Sequence, residues 1–338
     1  MAVRMKDIAH DLGVSVVTVS KVLRNHADIS AETRDRVLKR MKELNYQRNL
    51  AARALVTGKS YIMGLVVPDL IHPFFAQIAK KMSYLLRDHG YSLVTCSSNE
   101  EPEIEEQEIE RMLARRVDAL IVASTQFSIE SLRAMEQQRT PYILIDRKFA
   151  GLTANFVGVD DQAVGFIATS HLIDVGCRTI AHISGPEVST ALGRLDGYKQ
   201  ALAKRGREFR PEYVVRREHG DDSSDISGDE AMRRLLKMDP RPDGVFCYND
   251  PTAMGAMRAI LEAGLRIPED IAVVGCGNVF YADFLRVPLT SVDQDSDAIG
   301  EHAVNLAMAL IGAKTPERPK TILLQPKLVV RASSQRRI

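Results

Sequence analysis

Two sets of residues in this chain have the types and spacing to do chemistry. The first is Ser15, Val16, Val17, Thr18, Ser20 and Lys21, with Asn25 just beyond. Hydroxyls, one cation and apolar groups on a single helical face can read base edges in a DNA major groove, where apolar side chains meet thymine methyl groups. Two valines at the start of such a helix offer no hydrogen bonds, so this face predicts apolar base contacts, with Lys21 making a looser one than an arginine fork would. The second set is dispersed: Asp69, Phe74, Asp146, Arg194, Asn249, Asn278 and Gln294. Carboxylates, amides, a guanidinium and an aromatic are the mixture that orients a small molecule. All but Arg194 follow apolar strand-like runs, and open α/β sheets bind ligands beyond the carboxyl ends of their strands.

The elements that must position the first set are short helices. Ile8, Ala9 and Leu12 are apolar at helical spacing, and Gly13 can take the positive φ of a tight turn. Ser15 is a suitable N-cap for a second helix whose inward stripe is Val19, Val22 and Leu23. Ser30 begins a third, with Val37, Leu38, Met41 and Leu44 on one face and Arg34, Arg36, Lys39, Arg40 and Lys42 outside. Two closely joined helices plus a third make a helix-turn-helix whose second helix enters the groove. Residues 1–60 carry twelve Lys/Arg against six Asp/Glu, whereas the whole chain has a formal net charge of only +1. That asymmetry predicts a nucleic-acid reader attached to a body with another task.

The run Asp7-Ile8-Ala9, Gly13-Val14-Ser15, Thr18-Val19-Ser20 and Val22-Leu23, followed by Ser30–Arg36, resembles the headpiece of the lactose-repressor (LacI/GalR) family. Further family motifs run along nearly the whole chain. The resemblance implies a sequence-specific transcription regulator, most simply a repressor, that binds operator DNA as a homodimer in the cytoplasm and answers to a small-molecule, carbohydrate-like effector. Asn49–Leu55 would be the family's hinge helix, with Asn49, Arg53, Ala54 and Leu55 at the DNA and Leu55 wedged between base steps in the minor groove. By itself that segment is too short to be a stable helix in water. Phe74 matches the family's aromatic against the ligand, Arg194 its ligand-clamping arginine, Asn249 and Asp250 its Asn-Asp pair, and Gln294 a position lining the cleft. Asp146 and Asp160 are weaker candidates, since aspartates at strand ends also cap the next helix.

One departure matters. Where the family carries an aromatic and acidic or amide residues after its Val-Val-Gly strand, this chain reads Cys276-Gly277-Asn278. Loss of that first carboxylate leaves Arg194 less neutralised, which predicts a ligand bringing its own negative charge.

From Tyr61 onward, strand-length apolar runs alternate with helix-period segments, the pattern of parallel sheets covered on both faces. The fold class is therefore an all-α helix-turn-helix headpiece joined to an α/β body of two doubly wound lobes, resembling periplasmic sugar-binding proteins. The expected boundaries are 1–46 for the headpiece, 47–60 for the hinge and linker, and 61–338 for the body. Within it, one lobe takes about 61–161 and 292–320, the other about 162–291 and 321–338. The glutamates of Asn99–Glu110 are expected to be a solvated helix face rather than a metal or acid/base cluster.

The 338 residues leave room for such an arrangement, and 45% hydrophobic and 26% charged residues are ordinary for a globular protein. No apolar run approaches the ~20 residues that span a bilayer, so no membrane association is expected. Cys96, Cys177, Cys247 and Cys276 lack metal-ligand spacing and are expected as buried thiols. Neither a metal nor a cofactor is predicted. Gly275-x-Gly277 is half a dinucleotide fingerprint whose third glycine position is Phe280, and there is no phosphate-loop motif and no Gly-x-Ser-x-Gly elbow, so no enzymatic activity is expected.

Overall fold

Three short helices open the chain: α1 (Met5–Leu12), α2 (Val16–Leu23) and α3 (Ala31–Glu43). The computed structural model of the protein describes residues 3–23, 25–47, 54, 57–126, 130–149, 151–216, 224–313, 315 and 318–336. Its contacts divide into two units, Met1–Ser60 and Tyr61–Ile338.

In the first unit each turn has a local cause. Gly13 ends α1 at φ 65°, and the Val14 N–H closes back on the Ala9 carbonyl at 3.0 Å. The Ser15 hydroxyl accepts the Thr18 N–H at 3.0 Å, and Ser30 accepts the Thr33 N–H at 3.2 Å, so both following helices have satisfied first turns. Ile8, Ala9, Val19, Val22 and Val37 form the core, with Met41 and Leu44 packed against it. Leu38, expected on the same inward face, is instead 46% exposed, because Val37 already fills the contact with α1 and α2. Ala54 and Thr57 are helical, and the Gly58 N–H donates to the Ala54 carbonyl at 2.8 Å. The expected hinge residues Asn49, Arg53 and Leu55 lie outside the described residues.

The second unit holds two six-stranded sheets. The first lobe is built from β1 (Ile62–Val67), α4 (Pro73–Asp88), β2 (Ser92–Ser97), α5 (Pro102–Ala114), β3 (Ala119–Val122), α6 (Glu130–Gln137), β4 (Tyr142–Ile145) and β5 (Phe156–Val159). The second follows with α7 (Asp161–Asp174), β6 (Ile180–Ser184), α8 (Ser189–Lys204), β7 (Val214–Arg216), α9 (Ser224–Leu235), β8 (Gly244–Cys247), α10 (Asp250–Glu262), β9 (Ala272–Cys276) and β10 (Thr290–Asp293). The chain ends with α11 (Ser296–Gly312), β11 (Thr321–Leu324) and β12 (Lys327–Val329). The sheets run β11-β5-β4-β3-β1-β2 and β12-β10-β9-β8-β6-β7, so the two lobes repeat one strand order. Every pairing is parallel except that of β12 with β10. The central strands are buried throughout, as parallel strands covered on both faces must be.

The expected lobe boundaries need two corrections. Strand β10 lies wholly in the second sheet and only α11, packed on α4, belongs to the first lobe. The Thr321–Val330 segment is two strands: β11 joins the first sheet beside β5, and β12 joins the second. The physical reason is β5, a short buried strand that would otherwise be the sheet's edge; β11 pairs with it in parallel from Thr321 opposite Phe156 to Leu324 opposite Val159. All four cysteines are free thiols; three are buried and Cys96 is partly so. No helix among the described residues is long and apolar enough to cross a membrane.

Candidate functional site

The start of α2 presents an apolar surface that the headpiece core does not use: Val16 is 44% and Val17 63% exposed. Ser15 and Thr18 flank them, their hydroxyls 2.8 Å apart. Lys21 pairs with Asp28 and holds that carboxyl below its ordinary value. Asn25, in the left-handed region at φ 57°, accepts from Arg34, which also donates to the His26 carbonyl at 2.7 Å. Several cations expected on the outer face of α3 are thus structural: Arg36 donates to the Leu12 carbonyl at 3.2 Å and Arg40 reaches Asp11 at 2.5 Å.

In the body, the carboxyl ends of the strands bring distant residues together. Arg194 lies on α8, 3% exposed; its Nε donates to Asp161 Oδ1 at 3.0 Å and its Nη1 to the Tyr248 carbonyl at 2.6 Å. Its guanidinium carbon stands 4.7 Å above the Tyr248 ring. The helix that carries it can approach α7 this closely only because residue 165 is glycine: a Cβ there would fall 2.0 Å from the Arg194 carbonyl oxygen. Burial, outweighing the pull of Arg194, lifts Asp161 to about 7. Asp146 ends β4 at φ 60°; burial raises it too, against Arg194 and Arg147.

Arg147, like His72 and Asp161, is a site residue that sequence reasoning passed over. It is 5% exposed and forms a fork to Glu100, with both contacts at 2.8 Å. Burial works against its charge, but Glu100 more than offsets this and keeps the guanidinium protonated. Its Nε has no hydrogen-bond partner among the described residues; the nearest carboxylate oxygen, on Asp146, is 3.9 Å away. The signal was there in the adjacent Asp146-Arg147 at a strand end. Its partner, however, sits 47 residues earlier in the stretch taken for a solvated face. The solvated-face expectation fails at Glu105, which is fully buried and accepts from Ser124 and from the Thr125 N–H and hydroxyl. Desolvation of this kind is tolerated only with such bonds.

Asn249 caps α10, accepting the Thr252 N–H at 2.9 Å, and its Nδ2 meets His72 Nε2 at 3.1 Å, joining the two lobes across the cleft. Because the amide oxygen is committed to the cap, Asn249 donates, which leaves the ring proton of His72 on Nδ1. That Nδ1 has no partner among the described residues, and burial lowers the ring to about 4. Gln294 accepts from the Cys276 thiol at 3.4 Å, while its Nε2 is likewise without a partner among the described residues.

The remaining candidates separate. Phe74 packs edge-on against Phe75 in the first lobe's core, 5% exposed, and also lines a cavity of about 250 Å³ with Gly277 and Asn278. Asn278 is committed within its lobe, donating to Asp293 at 3.0 Å and accepting from Arg331 at 2.8 Å. Asp69 accepts the Ile71 N–H at 2.8 Å and shapes its own loop. Asp160 caps α7. Asp250 holds the loop after β9 through the Val279 N–H and the Ser291 hydroxyl; burial raises it to about 6. The expected surplus charge on Arg194 is corrected, because Asp161 stands in for the missing carboxylate.

Residues 4–49 match the family model of bacterial regulatory proteins of the lacI family, and residues 169–334 match that of a periplasmic binding protein-like domain. The HTH-type transcriptional repressor PurR of Histophilus somni (strain 129Pt) is 33% identical over 331 residues, covering 97% of this chain and 98% of that one. The chain belongs to the lacI family. Among solved structures, the lac repressor dimer bound to operator and the anti-inducer ONPF superposes with a TM-score of 0.85 at 28% identity, covering 99% of both chains. A complex of the transcriptional regulator CelR with cellobiose gives 0.74 at 30% identity, covering 98% of this chain and 99% of that one. As a lacI-family member the protein is a DNA-binding transcriptional repressor.

Proposed function

We propose that this repressor acts as a homodimer on a palindromic operator and that a neutral, oxygen-rich, carbohydrate-like molecule held between its lobes sets the affinity. The observation that carries the effector reading is that three of the buried donors without a hydrogen-bond partner among the described residues, Arg147 Nε, His72 Nδ1 and Gln294 Nε2, lie at the carboxyl ends of the strands or in the loops that follow them. Each such group costs roughly 1–3 kcal/mol if it stays unsatisfied, so together they call for acceptor oxygens from a ligand. Arg194 is matched by Asp161 and Arg147 by Glu100, and a third carboxyl, Asp146, lies 3.9 Å from Arg147 Nε with burial raising it. A hydroxyl both accepts and donates, so a polyol serves the donors and Asp146 together. An added anion would meet that aspartate. The cellobiose bound by the related CelR agrees with this reading.

Homodimer action follows from half-site geometry: one headpiece reads half of a palindrome. The related lac repressor is a dimer on its operator. Phe280 and Phe284, 79% and 85% exposed, offer apolar area to a second copy. On this reading Val16, Val17, Ser20 and Lys21 face bases, Asn49, Arg53, Ala54 and Leu55 form the hinge at the minor groove, and the protein works in the cytoplasm. Calorimetry with cellobiose, glucose and gluconate on wild type and Gln294→Ala tests the effector. Neutral-sugar binding weakened about tenfold by the substitution is expected, and gluconate bound most tightly would overturn neutrality. For the hinge, Leu55→Gly should abolish operator bending measured by fluorescence transfer; unchanged bending rejects the wedge.

A further inference from the structure

At the end of β6 away from the cleft, the second lobe contains a second cavity, of about 450 Å³, lined by Arg178, Arg207, Arg210, Tyr198, Leu202 and Tyr213. Its size is that of a small-molecule site. The five residues of β6 separate it from the cleft by about 16 Å at ~3.3 Å per residue.

Its chemistry differs from that of the cleft. The polar groups of the wall are already spent: Tyr198 donates to the Ile180 carbonyl at 2.8 Å, Tyr213 to the Pro240 carbonyl at 2.6 Å, and the backbone N–H groups of Arg178 and Thr179 to Asp243 at 2.8 Å. What remains is positive charge. Arg207 is fixed to the wall through Nη1, which donates to the Cys177 and Arg178 carbonyls at 2.7 and 2.9 Å, engaging one of its three nitrogens. Arg210 meets Glu208 only at 3.8 Å, beyond hydrogen-bond distance, and that glutamate is 81% exposed. The C-terminus of α8 contributes roughly half a negative charge; Asp243 is paired with Arg336, and Glu208 and Glu212 stand against the three guanidiniums, which leaves a small positive excess. The excess stands in a body that carries 33 Lys/Arg against 38 Asp/Glu outside residues 1–60. Arginine forks match the oxygens of a phosphate better than any other side chain does.

We infer that this cavity is a second ligand site, for a small phosphate monoester. The phosphate oxygens accept from Arg178, Arg207 and Arg210, and the organic part occupies the rest of the cavity beside Leu202 and the tyrosines. The site is independent of the effector reading but shares a helix with it. Arg194, Tyr198 and Leu202 stand four residues apart on α8, one face of one rod reaching both places.

The test uses the full-length protein and calorimetry with AMP, ribose 5-phosphate, inorganic phosphate, adenosine and sulfate. At least one ester should bind better than adenosine and sulfate. The double variant Arg178→Ala/Arg210→Ala removes two exposed side chains, so the fold is retained, and should weaken that binding at least tenfold. Gln294→Ala, in the cleft, should leave it unchanged. Absence of ester binding overturns the inference, as does binding indifferent to the double variant or lost in Gln294→Ala. Sulfate binding as tightly as the ester would mean a nonspecific basic surface and also reject the site.

Discussion

The headpiece exposes its candidate recognition residues, whereas the body buries its candidate site residues. Val17 is 63% exposed, outside a core of five buried residues, and contributes nothing to that core. Arg194 is 3% exposed and is bonded to Asp161 and Tyr248. Where recognition is external, side chains can change without disturbing the fold. Where the candidate groups are internal they also hold the lobe together, so a substitution there must be read for stability before it is read for function.

Substitutions can break this contrast. The largest expected effect is that of Arg194→Ala, which strips a buried carboxylate of its partner and should cost about 3–5 kcal/mol of stability in urea unfolding as well as effector binding. A variant as stable as wild type would erase the distinction. Val17→Ala should weaken the best operator by about 1–3 kcal/mol in fluorescence anisotropy, leaving unfolding and nonspecific DNA binding unchanged. Equal losses on both DNAs would place Val17 among the structural residues instead.

The body should also carry a pH dependence opposite in sign to that of the headpiece, where Asp11 and Asp28 are held below their ordinary value. Asp161 at about 7 and Asp250 at about 6 bind protons more tightly folded than unfolded, where the ordinary value is 3.8. Stability therefore falls as pH rises from about 4 to 7, by about 1.4 kcal/mol per pH unit for one site at its steepest. Asp161→Asn should flatten the upper part of that fall, and thermal unfolding across the window will measure it. The smallest effect is expected for Ser30→Ala. It removes the hydroxyl that accepts the Thr33 N–H and should cost the headpiece about 1 kcal/mol, seen in its unfolding and only weakly in its operator preference.

The same contrast governs what could be read from the sequence. The headpiece is local: Gly13, Ser15 and Ser30 mark its turns and caps within a few residues of what they position. Leu38 was misplaced because helical spacing alone cannot decide between adjacent apolar residues. In the body, Asn249 is legible as a strand-end residue and Arg194 through the family resemblance, but what they touch is not. Asp161 is 33 residues from Arg194, and His72 is 177 from Asn249. Glu105 looked like surface because nothing local distinguishes a buried glutamate from its exposed neighbours. Strand β5 escaped notice because four residues containing a glycine carry too little periodic signal.

The passages between the two sheets have a mechanical consequence. Only Asp160 separates β5 from α7; Gln294 and Asp295 separate β10 from α11, and Gln325 and Pro326 separate β11 from β12. A link of two residues extends by no more than about 7 Å. Three such tethers remove sliding and separation and leave the lobes a swing about a pivot. A pivot is also a lever. A closure small enough to be set by one hydrogen bond near the links becomes a larger arc at the outer rim of each lobe, so the geometry multiplies displacement before any other element takes part.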